Sequence, residues 1–272
     1  MRLAAILLAM LTAGCAAAPP AGKAPAHPTR VVSLDYCADQ YVLRLLPRGR
    51  ILAVSPDAAA EFSYMRDAAK GVRQVRPTAE DVLLLKPDLV VRSYGGGPNA
   101  EAMFARAGVP VLQLGYADDL AGVRRVLVET AAGLGERAKG EAMARSFDAR
   151  LAALRHGESG RSALYVTPGG VTAGPGTMID AMFAAAGLRN FQTAPGWSTI
   201  PVERLAYETP DVVASAFLDT RWKRPDPWSA AGHPLVRRLA GRSTANLSGA
   251  STACGGWFVL DAVEAMAKVA AR

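Results

Sequence analysis

Thr78-Ala-Glu-Asp-Val-Leu-Leu-Leu-Lys-Pro-Asp-Leu-Val-Val91 is the stretch that decides how this chain folds. It reads as a short helix that must stop before Pro87, because a proline ring disfavours the helical conformation in the residue ahead of it. Pro87-Asp88 then opens an apolar, β-branched run that reads as a buried strand. The same grammar returns in Ile200-Pro-Val-Glu-Arg-Leu-Ala-Tyr-Glu-Thr-Pro-Asp-Val-Val-Ala214. Glu80 stands seven positions before Pro87, and Glu203 seven before Pro210. Each Glu falls in a first helical turn, where a carboxylate suits the positive end of the helix dipole. One such phrase is an ordinary α/β connection. Two of them, 123 residues apart, predict two similar lobes.

The surrounding sequence supports that division. Residues 30–35 read as a first strand, 36–46 as a helix with apolar residues on one stripe, and 51–55 as a second strand. Residues 56–73 are irregular, with Phe62 and Tyr64 rising from a polar stretch. After the first copy of the repeat come Ser93-Tyr94-Gly95-Gly96-Gly97, a helix over 99–107, a strand over 109–114 and a helix from 118 to 134 capped by Asp118 or Asp119. This β-α alternation with short crossovers is the pattern of a parallel sheet covered on both faces. Residues 136–156 break it: rich in Ala, Arg, Lys and Glu and free of proline, they predict one helix of roughly 30 Å at 1.5 Å per residue. The alternation then restarts, with a strand over 162–167, a helix over 178–186 and Trp197 in a loop. A polar, Pro-rich excursion covers 222–227, and an amphipathic helix over 257–271 ends the chain. The fold class expected is therefore α/β: two lobes, each a mostly parallel sheet flanked by helices, joined by one long helix. The expected boundaries are 30–134, 135–157 and 158–272.

The N-terminus has another purpose. Met1-Arg2 is a short positive start, and residues 3–12 are apolar. Ten such residues are too few to span a bilayer, which needs about 20, so residues 1–14 read as a secretory signal. Leu11-Thr12-Ala13-Gly14-Cys15 looks like a lipobox, which would lipidate Cys15 and tether the protein through residues 15–29; cleavage without lipid near Ala18 is the other reading. Export also sets the redox compartment. Cys37 and Cys254 are the two remaining cysteines, and an oxidising space invites a disulfide between them, with two separate buried thiols as the alternative.

Composition narrows the function. With 272 residues, half of them apolar and 20% charged, the chain can bury a core. Its net charge of +7 is scattered, with no aromatic-interleaved basic stripe for nucleic acid. Its three histidines, His27, His156 and His233, and the lack of a Gly-x-Ser-x-Gly elbow argue against a Ser/His/Asp hydrolase. The turns Gly95-Gly-Gly-Pro98 and Gly174-Pro-Gly176 lack the Gly-x-Gly-x-x-Gly spacing of a dinucleotide loop. No enzyme activity and no cofactor are expected.

Five phrases occur in order: Arg30-Val-Val-Ser-Leu-Asp-Tyr-Cys-Ala-Asp-Gln40, the Leu-Lys-Pro-Asp-Leu-Val-Val repeat, Ala173-Gly-Pro-Gly-Thr-Met-Ile-Asp180, Pro195-Gly-Trp-Ser-Thr-Ile-Pro-Val-Glu203 and Cys254-Gly-Gly256. Together they resemble the ABC-importer substrate-binding proteins that carry cobalamin, ferric siderophores or haem. The resemblance implies a periplasmic, membrane-tethered lipoprotein that acts as a monomer. It would hold a metal-chelate ligand between two lobes and deliver it to a permease dimer. It gives Glu80 and Glu203 a role as surface carboxylates, one per lobe, that dock into arginine pockets of the permease. It places the ligand at the C-terminal ends of the strands, where Tyr36, Tyr64, Tyr94, Trp197 and Trp257 offer aromatic walls for a flat chelate. Cobalamin and a ferric siderophore lead as expected ligands, with haem third. A zinc- or manganese-ion binding protein of the same architecture is one rival, although no two of the histidines look placed to converge. A sensing or scaffold lipoprotein without a transport role is the other.

Overall fold

The structure is a computed structural model that describes residues 23–154, 159–217, 229–242 and 244–272. The expected signal, the lipidation position Cys15 and the excursion at 222–227 lie outside these residues. No helix among the described residues is long and apolar enough to cross a membrane.

Two four-stranded parallel sheets form the frame. The first contains β1 (Val31–Ser33), β2 (Ile51–Ala53), β3 (Leu89–Arg92) and β4 (Val111–Gln113), in the order β2-β1-β3-β4. Its helices are α1 (Tyr36–Leu45), α2 (Ala79–Leu83), α3 (Ala100–Arg106) and α4 (Leu120–Gly133). Next comes α5 (Arg137–Ala153), and then the second set: β5 (Ser162–Val166), β6 (Val171–Ala173), α6 (Met178–Ala185), β7 (Arg189–Asn190), β8 (Trp197–Thr199), α7 (Val202–Leu205) and β9 (Val212–Ala216). It is completed by α8 (Pro234–Gly241), β10 (Ala245–Leu247), α9 (Gly249–Thr252) and α10 (Val259–Ala270). The second sheet runs β10-β9-β5-β7. Read from its other edge, first, second, third and fourth strands take the same places as in the first sheet. The duplication heard in the repeat is thus a duplication of topology.

The sheets are covered on both faces, as parallel sheets must be. In the first, Val31, Leu89 and Val91 face one core while Val32 and Val90 face another. In the second, Ala163, Tyr165 and Ala214 face one core while Leu164, Val166 and Val213 face the other. The Pro-Asp phrase holds each pair of strands together. The Asp88 carboxylate accepts from the Thr29 and Arg30 amides at 2.8 and 2.9 Å, just before β1. The Asp211 carboxylate accepts from the Ser162 amide and hydroxyl at 2.7 and 2.8 Å, at the start of β5.

Two expectations are corrected. The linking helix has 17 residues rather than 21, near 25 Å, because Gly135 at φ +74° turns the chain before Arg137 and Leu154 caps its end. It lies along α4 so closely that a Cβ at Gly140 would overlap Ala131. Finally, Trp197 is in a strand: β8 pairs antiparallel with β6, placing Trp197 opposite Ala173. The three residues of β8 carry too little periodicity to be read as a strand.

Candidate functional site

The C-terminal end of the two inner strands of the first sheet, β1 and β3, is shaped by Asp35. It is the N-cap of α1, where its Oδ1 accepts from the Ala38 amide at 2.9 Å. Its Oδ2 accepts from three successive amides, Ser93 at 2.7 Å, Tyr94 at 3.1 Å and Gly95 at 2.9 Å. One carboxylate therefore fixes the loop after β3 against the helix after β1. Gly95 is required there, since a Cβ would run into the Leu34 carbonyl. The result is an aromatic group: Tyr36 meets Tyr94 edge-on at 6.0 Å and Phe62 at 5.0 Å between ring centroids. The Tyr36 hydroxyl donates to the Ala253 carbonyl at 2.9 Å, reaching the C-terminal half of the chain. Burial, then the negative charge of Asp35 and Asp57, holds the Tyr36 phenol above its ordinary value, so it stays protonated. Tyr94 is raised too, chiefly by burial of its hydroxyl, although 55% of the residue is exposed.

Arg92 lies under the same loop. It is 9% exposed and donates from one terminal nitrogen to the Tyr94 and Gly97 carbonyls at 3.2 and 3.3 Å. Its Nε is buried without a partner, and no carboxylate pairs with it among the described residues. A buried cation without a counter-charge is costly, which marks a place where an anion is welcome.

The five aromatic residues expected at the site fall into three groups. Tyr36 and Tyr94 stand together. Trp197 is 56% exposed on the β6–β8 ribbon that follows β5, its ring 6.2 Å from Tyr165. Tyr64 and Trp257 come within 6.3 Å of one another but in a different setting. Tyr64 stacks on Phe258 at 4.6 Å and donates its hydroxyl to Asp261, while Trp257 packs on Tyr41 and Phe258. Burial, followed by that bond to Asp261, pushes the Tyr64 phenol up to about 12. Both residues also line a cavity of about 470 Å³ against α5, together with Arg44, Lys139, Phe147 and Arg150. They join the halves of the molecule along the linking helix rather than forming part of the Tyr36–Tyr94 group.

Sequence reasoning passed over Phe62 as a wall and Tyr116 altogether. Tyr116 is 80% exposed three residues beyond β4, and its place after a strand was the available signal. Glu80 and Glu203 are the second residues of α2 and α7, both exposed, and neither side chain has a partner among the described residues. Cys37 and Cys254 are joined by a disulfide, their Cα atoms 5.8 Å apart. Among the described residues, no three His, Cys, Asp or Glu side chains form a group that could hold a metal ion.

The sequence profile of the periplasmic binding protein family matches residues 31–220. The chain belongs to that family. Its members are binding proteins and not enzymes, and the family is that of the periplasm. A cobalamin-binding protein of Halobacterium salinarum is 26% identical over 236 residues, or 83% of this chain. The chain spans 64% of the length of that relative. Among solved structures, the periplasmic haem-binding protein of Roseiflexus sp. RS-1 in its apo form is 22% identical with a TM-score of 0.69; 89% of this chain and 98% of that one are covered. A periplasmic haem-binding protein from Pseudomonas aeruginosa is 25% identical with a TM-score of 0.67, over 88% of this chain and 91% of that one. The two-sheet frame of this binding protein is thus the two-lobe frame of its family.

Proposed function

We propose that this binding protein is the periplasmic component of an ABC importer, holding a flat tetrapyrrole-type metal chelate at the strand ends and handing it to a permease dimer. The observation that carries the reading is the pair Tyr36 and Tyr94, fixed through Asp35 at the C-terminal ends of β1 and β3 with Phe62 against Tyr36, and Trp197 exposed on the ribbon after β5. Exposed aromatic faces supply stacking area for a macrocycle, and a few polar groups orient it. Cobalamin and haem are the two candidates that the relatives name. The unpaired Arg92 guanidinium favours haem, whose carboxylate arms would find there a cation that cobalamin's amides do not need. In this reading Glu80 and Glu203 pair with cations on the permease, Cys15 carries the lipid, and the tether is shorter than the expected 15–29, because Pro28 is buried and takes a hydrogen bond from Arg50 while Thr29 is held by Asp88.

The test is an absorbance and tryptophan-fluorescence titration of residues 16–272 with haemin and with cyanocobalamin. Saturable binding of one at micromolar or tighter affinity is expected. Silence with both would remove the tetrapyrrole reading and leave the family assignment intact.

A further inference from the structure

Burial explains most of the large apolar side chains of this protein, and the exceptions are ordered. Among the described residues, three large apolar side chains are more than three-quarters exposed: Tyr207 at 92%, Tyr116 at 80% and Leu84 at 79%. Tyr116 lies beyond β4 at the strand ends. Leu84 and Tyr207 lie elsewhere, and they share a position. Leu84 is four residues after Glu80, and Tyr207 is four residues after Glu203, each three before the proline of its repeat. The local backbones differ: the Leu84 amide bonds the Glu80 carbonyl, whereas the Tyr207 amide bonds the Arg204 carbonyl. What is repeated is therefore the exposure of an apolar side chain four residues after an exposed carboxylate.

Neither is forced out by a lack of core. Leu83 and Leu85 on either side of Leu84 pack against the first sheet's core, and Leu205 packs into the second. The neighbouring charges are also accounted for. Asp81 is held by Arg76 at 2.7 Å, and Glu208 by Arg204 at 2.7 Å, which leaves Glu80 and Glu203 as the carboxylates without a partner at these two places among the described residues. Each lobe thus presents one free carboxylate and, four residues on, one bare apolar side chain. An isolated exposed apolar residue carries no message. The same pair presented twice, on two lobes of the same topology, matches a partner that itself offers one surface twice.

We propose that Leu84 and Tyr207 are the apolar anchors of the permease-docking face. Each seats in an apolar depression beside the cation that receives Glu80 or Glu203, on a two-fold permease dimer. This rests on the docking reading above and extends it. The carboxylates steer and orient, as rim charges do. The apolar side chains supply the desolvated contact that holds the complex, with the larger Tyr207 contributing more.

The experiment measures binding of the lipid-free protein to the organism's own permease dimer of this importer class in nanodiscs, at about 0.05 M and about 0.5 M salt, where screening lengths differ severalfold. Leu84→Ser with Tyr207→Ser is expected to weaken binding about tenfold or more at both salt concentrations, each single change giving a part of that loss. Glu80→Gln with Glu203→Gln is expected to weaken it mainly at low salt. Because the replaced residues are exposed, unchanged near-ultraviolet circular dichroism is expected for both. A Ser pair that binds like the parent, beside a weakened Gln pair, overturns the anchors and leaves the docking reading standing. A Gln pair that binds like the parent at both salts overturns the docking reading itself. Sedimentation velocity of the free protein closes the remaining route: a dimer that the Ser changes abolish would assign the patches to self-association and overturn the proposal.

Discussion

Asp88 and Asp211 do the same work in the two lobes: each clamps the start of the first strand of its sheet to the start of the third. The Asp88 Oδ1 takes the Arg30 amide at 2.9 Å and the Asp211 Oδ2 the Ser162 amide at 2.7 Å. This equivalence gives the repeated Pro-Asp its physical reason. The proline ends the preceding helix, and the aspartate that follows is already at the mouth of the strand, where a bare amide of the neighbour waits.

Removing either clamp costs stability and leaves the site alone. Asp88→Ala and Asp211→Ala are each expected to cost about 1 kcal/mol, less than the usual contribution of hydrogen bonds to a charged group because solvent competes for them. A drop in melting temperature of about 2–4 °C is the expected reading. The Ser162 amide, then its hydroxyl, holds the Asp211 carboxyl below its ordinary 3.8. Its contribution is therefore full above that value and fades as the pH falls below it. Ligand affinity unchanged in both variants checks that the effect is structural.

Asp39 has the opposite sign. It is fully buried, and although the Ser55 amide and hydroxyl donate to it, burial dominates and raises its carboxyl from 3.8 to about 6. A folded-state value above the unfolded one means that this group stabilises the fold below 3.8, and the advantage is lost as the pH climbs through 6. Asp39→Asn, which cannot ionise, is expected to gain about 2 kcal/mol on the parent between about pH 4.5 and 7.5. Urea unfolding at the two pH values measures it; a difference between the two proteins that does not change with pH would contradict the assignment.

The Cys37–Cys254 disulfide, with the Tyr36 hydroxyl on the Ala253 carbonyl, fastens the segment before α10 to α1. The sequence separation of 217 predicts a loss of about 5 kcal/mol, on the chain-entropy account, when both cysteines are changed to Ser. Non-reducing peptide mapping is expected to recover Cys37 and Cys254 in one linked pair. Guanidinium unfolding with and without reductant gives the stability difference.

Much of this molecule was legible because its signals are local. Proline at the end of α2, glycine after α3 and the continuous apolar run of β3 act over a few residues, so strand and helix placement needed no knowledge of the fold. The repeat carried the topology as well, since two copies of one phrase imply two copies of one sheet. What could not be read depends on contacts between distant residues. Asp35 joins the Tyr94 loop to α1 across about 60 residues of sequence. Tyr64 and Trp257 were expected as walls of the site beside Tyr36, yet the packing of α10 and α5 gathers them around Phe258 and Arg150. Phe62 sits in an irregular segment where no period exposes its neighbours. The linking helix read too long because its composition continues past the point where Leu154 caps it.

The central claim is that the ligand rests on the aromatic residues at the strand ends. Equilibrium titration of the parent and of Tyr94→Ala with Trp197→Ala, using whichever of haemin and cyanocobalamin saturates the parent, tests it most directly. Two lost stacking faces predict a fall in affinity of about 10- to 100-fold, with melting temperature little changed because both residues are more than half exposed. Affinity equal to the parent's in that variant would contradict the account and move the ligand elsewhere on the protein.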